Sequence, residues 1–312
     1  MDNSIDTIII GAGISGLSAA YHLKKKYLLI EKSNRPGGLA RSINQGGFTF
    51  DLTGHLIHLS NVYTKRLVKR LLKENLKIIH RNSWIYSNNT QTRYPFQANL
   101  YGLPPAVARE CITGFVESIL KYGWQPAEGK TGTFRFWVLK RFGEGFGKYF
   151  FFPYNEKLWT VSLDELTDDW TGKFVPRPSL KDVVLGAIYD KKTPFGYNVS
   201  FFYPRKGGIQ SFSDKFFLHT ENALFNTNVY SVNLKKKCVE TDRGIFHYNN
   251  IISTVPLYSL VEKLENAPNE IKSAGEKLKW NSVVCLNLGF DRPGIGKDRH
   301  WIYFPEKKYP FY

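Results

Sequence analysis

Gly11, Gly13 and Gly16 stand at G-x-G-x-x-G spacing, and Glu31 follows twenty residues after the first of them. Residues of these types at these intervals can hold a dinucleotide. Gly11 permits a tight turn, Gly13 lets a pyrophosphate approach the backbone, and Gly16 lets a helix lie close to the preceding strand. The phosphates then rest on a helix N-terminus, where free amides and the helix dipole favour an anion. A carboxylate at Glu31 can accept hydrogen bonds from a ribose diol and would repel a 2′-phosphate. The plainer alternative is a tight turn in some other α/β protein.

The elements needed to position these groups are written around them. Thr7 to Ile10 is a short β-branched run that predicts a strand. Ile14, Leu17 and Tyr21 recur at helical intervals after the glycines, and Tyr27 to Ile30 is a second apolar run that ends at Glu31. Strand, turn, helix and strand make the first βαβ half of a dinucleotide domain.

Beyond Glu31 come Gly37-Gly38-Leu39-Ala40-Arg41-Ser42 and then Gly47 to His55. Here the chain resembles the FAD-dependent amine oxidase superfamily, in its protoporphyrinogen oxidase-like and UDP-galactopyranose mutase-like branch. The resemblance implies that the G-G-x-x-R-S segment follows the flavin pyrophosphate, with Arg41 neutralising charge, and that Gly54 and His55 pass near the flavin ring. Thr53 stands where the family usually has the first of two glycines. Val229 matches a valine whose backbone meets the adenine end of FAD. Ile14, Ser15, Lys32 and Leu39 complete the implied cofactor-binding set, and His55 is the one catalytic candidate.

The same resemblance covers Tyr94-Pro95-Phe96-Gln97, the block Phe152-Pro153-Tyr154-Asn155-Glu156-Lys157-Leu158-Trp159, and Trp301-Ile302-Tyr303-Phe304-Pro305-Glu306. It makes Tyr94, Phe96, Gln97, Tyr154, Asn155, Trp159 and Tyr303 the expected substrate-binding residues. From their chemistry, Tyr94 and Gln97 can hydrogen-bond a polar ligand and Phe96 can form an apolar wall. In the mutases an arginine that grips the substrate diphosphate precedes the Pro or Gly of the second block, and here that residue is Phe152. A phenyl ring donates no hydrogen bond, and losing a charge-assisted contact costs about 1.5–3 kcal/mol. This favours an oxidoreductase whose flavin accepts hydride from an organic substrate. The alternatives are a mutase-like isomerase of a nucleotide sugar, and an inactive remnant of either.

The fold expected is α/β: a Rossmann-like, glutathione reductase-type FAD domain (1–60 and 204–265) interleaved with an α+β substrate domain (61–203 and 266–312). The relatives continue past the point where this chain ends at Tyr312, so a fragment of a longer reading frame is expected. A hairpin is predicted around Asn88-Asn89, and helices over Ala106 to Leu120, Thr133 to Phe142 and Ile209 to Leu218. Strands are predicted around Asn226 to Leu234 and, in the substrate domain, within 283–304.

A hydrophobic content of 42% and an aromatic content of 15% in 312 residues allow a substantial core and exclude a disordered chain. The net charge of +16 invites a nucleic-acid reading, but no nucleic-acid-binding motif accompanies it, so no nucleic-acid partner is expected. An anionic substrate or a membrane surface suits the charge better. Within 62–75, Leu67, Val68, Leu71 and Leu72 form one helical face and Lys65, Arg66, Lys69, Arg70 and Lys73 the other. Such a helix can lie on an anionic membrane; docking on its own domain is the favoured expectation. Cys111, Cys238 and Cys285 are far apart without C-x-x-C, the N-terminus carries acid where a signal peptide carries base, and no apolar run reaches spanning length. A cytoplasmic protein is expected. His55 and His58 have no ligand partner at metal-binding spacing, so no metal is expected. Oligomeric state is left open by the sequence.

Overall fold

The structure, a computed structural model, describes residues 5–124, 132–191, 195, 196, 199–292, 294, 296 and 298–312. The Gly/Pro-containing stretch from Gly123 to Gly132, which the sequence leads one to expect as a loop, lies mostly outside the described residues. The described chain forms two compact units, 1–79 with 202–289 and 80–201 with 290–312.

In chain order, the first unit opens with β1 (Ile5–Ile10), α1 (Ile14–His22), β2 (Tyr27–Ile30), β3 (Ser42–Gln45), β4 (Phe48–Asp51) and α2 (Val62–Leu72), followed by β5 (Leu76–His80). The second unit holds β6 (Ser83–Ser87), β7 (Thr90–Arg93), α3 (Pro105–Tyr122), α4 (Phe134–Phe146), α5 (Phe152–Trp159) and α6 (Leu180–Ile188). The chain returns through β8 (Ser200–Pro204) to α7 (Gln210–Phe217), β9 (Ala223–Leu224), β10 (Val229–Asn233), β11 (Cys238–Thr241), β12 (Gly244–Ser253), α8 (Leu257–Lys263) and α9 (Asn269–Glu276). It ends in the second unit with β13 (Trp301–Tyr303).

The first unit is built on a six-stranded sheet, order β10-β11-β12-β1-β2-β9. β1 lies between β12 and β2, parallel to both, with Ile9 opposite Ile252 and Leu29. A central parallel strand is buried on both faces, which is why this segment is a continuous apolar run rather than an alternating one. Its side chains divide accordingly: Ile9 packs with Leu17, Leu29, Leu67, Leu71 and Phe216, while Ile8 and Ile10 pack with Ile30, Val232 and Val239.

Helix α2 shows why the expected domain boundary moves. Its N-cap is Asn61, whose carboxamide oxygen accepts from Tyr63 and Thr64 N–H, and its basic face is exposed. Leu67 and Leu71 complete the same apolar cluster as Ile9 and Phe216. Residues 61–79 therefore belong with the first unit and not with the substrate domain to which the sequence assigned them. Residues 266–289 move likewise: α9 packs on α8 so closely that a Cβ on Gly275 would lie 2.6 Å from Val261 Cγ1. The strand expected at 283–290 does not form. Val284 and Leu286 are 96% and 80% exposed, and among the described residues this stretch finds no ladder partner, without which extended backbone is not a strand.

In the second unit β6 and β7 form the expected hairpin, with Asn88 and Asn89 both at positive φ (53° and 58°) between Ser87 and Thr90. Two such residues produce the turn twist that flanking strands match. β13 joins β6 in parallel, Tyr303 opposite Ile85. The core is aromatic, with Phe96, Phe115, Phe134, Phe142 and Phe146 fully buried. α4 runs past its expected end to Phe146, interrupted by non-helical Gly143.

Candidate functional site

The glycine turn after β1 is assembled by backbone contacts. Gly11 N–H donates to Ile30 O at 2.8 Å, joining the ends of β1 and β2. Gly13 is the extended N-cap of α1 and supplies no side-chain cap, and the first turn carries no acidic residue. The leading amides of Ile14, Ser15 and Gly16 have no intrahelical acceptors, the general condition of a helix start, and the dipole makes that end attractive to an anion. Gly16 is required by space alone: a Cβ there would sit 1.9 Å from Gly11 O.

A second glycine turn meets the first. Gly37 N–H donates to Ala12 O at 2.8 Å. Gly38 has φ +58°, and a Cβ on it would come within 3.1 Å of Gly13 Cα. Arg41 Nε donates to Gly38 O at 2.7 Å, which holds the guanidinium beside the two turns. Leu39 is 76% exposed.

Beyond the turn, the ends of β1 and β2 border a recess of about 170 Å³. Gly11, Glu31, Lys32 and Val229 line it. Glu31 is buried, its Oε2 accepting from Ala12 N–H (2.7 Å) and its Oε1 from Ser33 N–H (2.8 Å). Thr227, Asn228, Ser259 and Lys263 also line the recess. Sequence reasoning missed these four, because they come from loop and helix positions with no spacing relation to the glycines.

Gly54 and His55 follow β4 in the same unit. His55 Nδ1 lies 2.8 Å from Thr53 O; a carbonyl only accepts, so Nδ1 carries a proton. Asp51, at the end of β4, is a hub. Its Oδ1 accepts from Ser42 Oγ (2.6 Å) and Ile209 N–H (3.1 Å), its Oδ2 from Tyr203 OH (2.6 Å), and His55 Nδ1 lies 3.9 Å from Oδ2. Burial, reinforced by the bond to Asp51, pushes the Tyr203 phenol well above its usual range. The sequence reading passed over both residues, since an acid and a tyrosine this far apart carry no local signal.

The second unit brings Tyr94, Tyr154 and Tyr303 together. Tyr94 stacks on Tyr303 with ring centroids 5.0 Å apart, and Tyr154 meets Tyr303 edge-on at 5.4 Å. Tyr312 approaches Tyr154 at 6.2 Å. Arg81 was not anticipated: its Cζ lies 4.3 Å from the Tyr94 ring centroid and its Nη2 donates to Tyr303 OH at 2.5 Å. Burial, then the neighbouring tyrosines, raise the Tyr154 phenol far above its ordinary value, so it stays neutral at any working pH.

The other expected substrate residues are placed differently. Phe96 is fully buried and stacks on Phe150 at 5.2 Å. Gln97 and Asn155 are buried, with Gln97 Nε2 donating to Pro176 O (2.9 Å) and Asn155 Nδ2 to Phe151 O (2.8 Å). Trp159 lies against Trp170, ring centroids 5.6 Å apart. Phe152 is buried under Arg135, whose Cζ is 4.6 Å from its ring centroid. Lys157 gathers the end of the chain, its Nζ donating to the carbonyls of Phe304, Glu306, Tyr309 and Phe311 at 2.5–3.1 Å.

Among the described residues no three His, Cys, Asp or Glu side chains are grouped as a metal site would need, and no helix is long and apolar enough to cross a membrane.

The chain is similar to known proteins. The family model described as flavin-containing amine oxidoreductase matches residues 14–307. Protoporphyrinogen oxidase 2 of Arabidopsis thaliana is 24% identical over 326 residues, 89% of this chain and 61% of the relative. Coproporphyrinogen III oxidase of Staphylococcus aureus is 37% identical over 102 residues, 31% of this chain and 20% of that protein. A crystal structure of reduced UDP-galactopyranose mutase superposes with a TM-score of 0.87 at 26% identity, covering 99% of this chain and 69% of the mutase chain. The curated relatives are thus longer than the stretch they share with this chain. The chain belongs to the flavin-containing amine oxidoreductase family, and its cofactor is a flavin.

Proposed function

We propose that the chain is a FAD-dependent oxidoreductase of the amine oxidase and protoporphyrinogen oxidase type, acting on a small organic molecule. The observation that carries this reading is the contact of the two glycine turns beside the pinned Glu31 carboxylate. A Cβ at Gly38 would close the approach to Gly13, and the first turn of α1 presents backbone amides with no acidic side chain of its own. Those features fit a diphosphate. The amides of Ile14, Ser15 and Gly16 with Arg41 would hold it, Glu31 the ribose, and Val229 the adenine end.

When bound, the flavin supplies a hydride acceptor. The chain's own residues have other tasks. His55 holds a proton at Nδ1 on Thr53 O. Tyr94 and Tyr303 offer stacked faces, Tyr154 remains a neutral phenol, and Arg81 gives the group one fixed positive charge that suits an anionic substrate. The cysteine pattern supports a cytoplasmic setting.

Anaerobic mixing of purified protein with candidate donors tests the reading. Bleaching of the yellow flavin, reversed by an acceptor, is expected; a flavin that no donor reduces counts against it. A second reading, mutase-like isomerisation of a nucleotide sugar without net redox change, is favoured by the mutase superposition over 99% of this chain. Phe152 argues against it. Conversion of UDP-galactopyranose by dithionite-reduced protein, with no oxidant consumed, would reverse the ranking.

A further inference from the structure

A second hollow opens on the first unit, away from the glycine turns. It measures about 860 Å³ and takes Arg70 and Lys73 from the end of α2 and the turn after it, Arg205 and Lys206 from the loop before α7, and Lys215 from α7. Glu74 is the one acid among its lining residues. Leu71 and Leu72 are buried at its base, and Tyr21 packs edge-on against His219 at its side, ring centroids 5.4 Å apart.

Several cations of this protein find acids. Lys25 pairs with Asp6, Arg93 with Asp190, Arg135 with Glu156 and Asp164, and Lys148 with Glu110. Among the described residues none of the five cations of this hollow makes such a pair. Arg70 alone would be accounted for by the favourable field at a helix C-terminus. Convergence from three separate segments is not, because unpaired like charges repel.

The hollow is also built. Asn75 clamps the loop reciprocally: its Oδ1 accepts from Lys206 N–H (2.9 Å), its Nδ2 donates to Lys206 O (3.1 Å), and its backbone carbonyl accepts from Arg205 N–H (2.6 Å). Arg205 Nε donates to Glu74 O at 3.0 Å, which orients the guanidinium and leaves its terminal nitrogens for a ligand. A fork of fixed direction among mobile ammonium groups is the donor set that phosphate oxygens use, the arginine bidentate and the lysines as point charges.

We propose that this hollow binds a phosphate-bearing anion with more than one charge, either free in solution or carried as a lipid headgroup. The volume suits a ligand larger than a single phosphate. Filling it would neutralise the charge cluster. The exposed Lys65, Arg66 and Lys69 continue the basic surface along α2. The site is independent of the flavin reading and stands or falls separately.

The experiment uses the full chain. Calorimetric titration with inorganic tripolyphosphate forms one arm. Co-sedimentation with phosphatidylcholine vesicles, with and without phosphatidylinositol bisphosphate, forms the other. Both are compared with the double variant Arg205→Glu, Lys215→Glu and with a control of equal charge change placed elsewhere, Lys235→Glu, Lys277→Glu. The hollow variant should lose about tenfold or more in affinity, as expected when several cations near an anionic group are reversed, while the control keeps its affinity. Binding in the first arm alone identifies a free anion, and binding in the second alone a headgroup. Failure of every probe to bind, or equal loss in both variants, overturns the proposal. Should the double variant unfold, Arg205→Gln with Lys215→Gln must show the same loss with an unchanged melting temperature, and retained binding there overturns the proposal equally.

Discussion

Glu31 Oε2 accepts the amide of Ala12 at 2.7 Å, so the acid that ends β2 is pinned to the turn that ends β1. The bond preorganises the carboxylate. Two of its lone pairs are committed to Ala12 and Ser33, which leaves others for the proposed ribose contact. Glu31→Ala removes the proposed ribose partner and strands two amides, and should weaken FAD binding by about 1.5–3 kcal/mol, roughly ten- to a hundredfold. Titration of apoprotein followed by flavin fluorescence checks this, and unchanged affinity would remove Glu31 from the site.

Gly16→Ala and Gly38→Ala force a Cβ against backbone, at 1.9 Å from Gly11 O and 3.1 Å from Gly13 Cα. Backbone cannot step aside as a flexible side chain would. Each should lose flavin and lower stability by about 1–3 kcal/mol, the usual cost of overpacking. Gly172→Ala is the comparison, since nothing lies within 4 Å of its Cβ. It should stay within about 0.5 kcal/mol of the parent in a thermal melt.

Arg81→Met removes the donor to Tyr303 OH and the charge over Tyr94 while keeping much of the side-chain volume. If the tyrosine group handles substrate, kcat/KM for a donor that bleaches the flavin should fall about tenfold, and flavin affinity should be unchanged. A charge-assisted hydrogen bond of about 1.5–3 kcal/mol sets that scale. A variant that folds, binds flavin and turns over normally would confine Arg81 to packing.

Glu110 Oε2 accepts from Lys148 Nζ (2.7 Å) and Tyr149 OH (2.9 Å). Those bonds hold the Glu110 carboxyl below its ordinary 4.5 and lift the Lys148 ammonium from 10.5 to about 12. A depressed acid contributes stability that is complete above its unfolded value and lost as pH falls through the folded one. A raised base contributes below 10.5 and is lost as pH rises through about 12. Melting temperature against pH should therefore hold a plateau between these limits. Glu110→Gln should flatten the acid shoulder, and an identical acid limb in that variant would show that other carboxylates set it.

Much of the cofactor half was legible in the chain because its determinants are local. The glycine intervals, the β-branched run and the acid at the end of β2 are each set by neighbours in sequence. The Asn88-Asn89 hairpin and the helix beginning near Pro105 were legible for the same reason. The candidate substrate residues were legible only as types. Gln97 and Asn155 satisfy buried carbonyls, and no sequence pattern distinguishes an amide turned inward from one turned toward a ligand.

The sequence by itself determined the strand, turn, helix and acid of the dinucleotide half, because steric freedom at glycine and side-chain periodicity act over a few residues. Tertiary structure alone decided that 61–79 joins the first unit, that 283–290 finds no strand partner among the described residues, and that Arg81 meets Tyr303 across 222 residues of chain. It also decided that five cations from three segments share one hollow. Burial and ladder pairing depend on what lies opposite in space, and that is settled only when the whole chain has closed on itself.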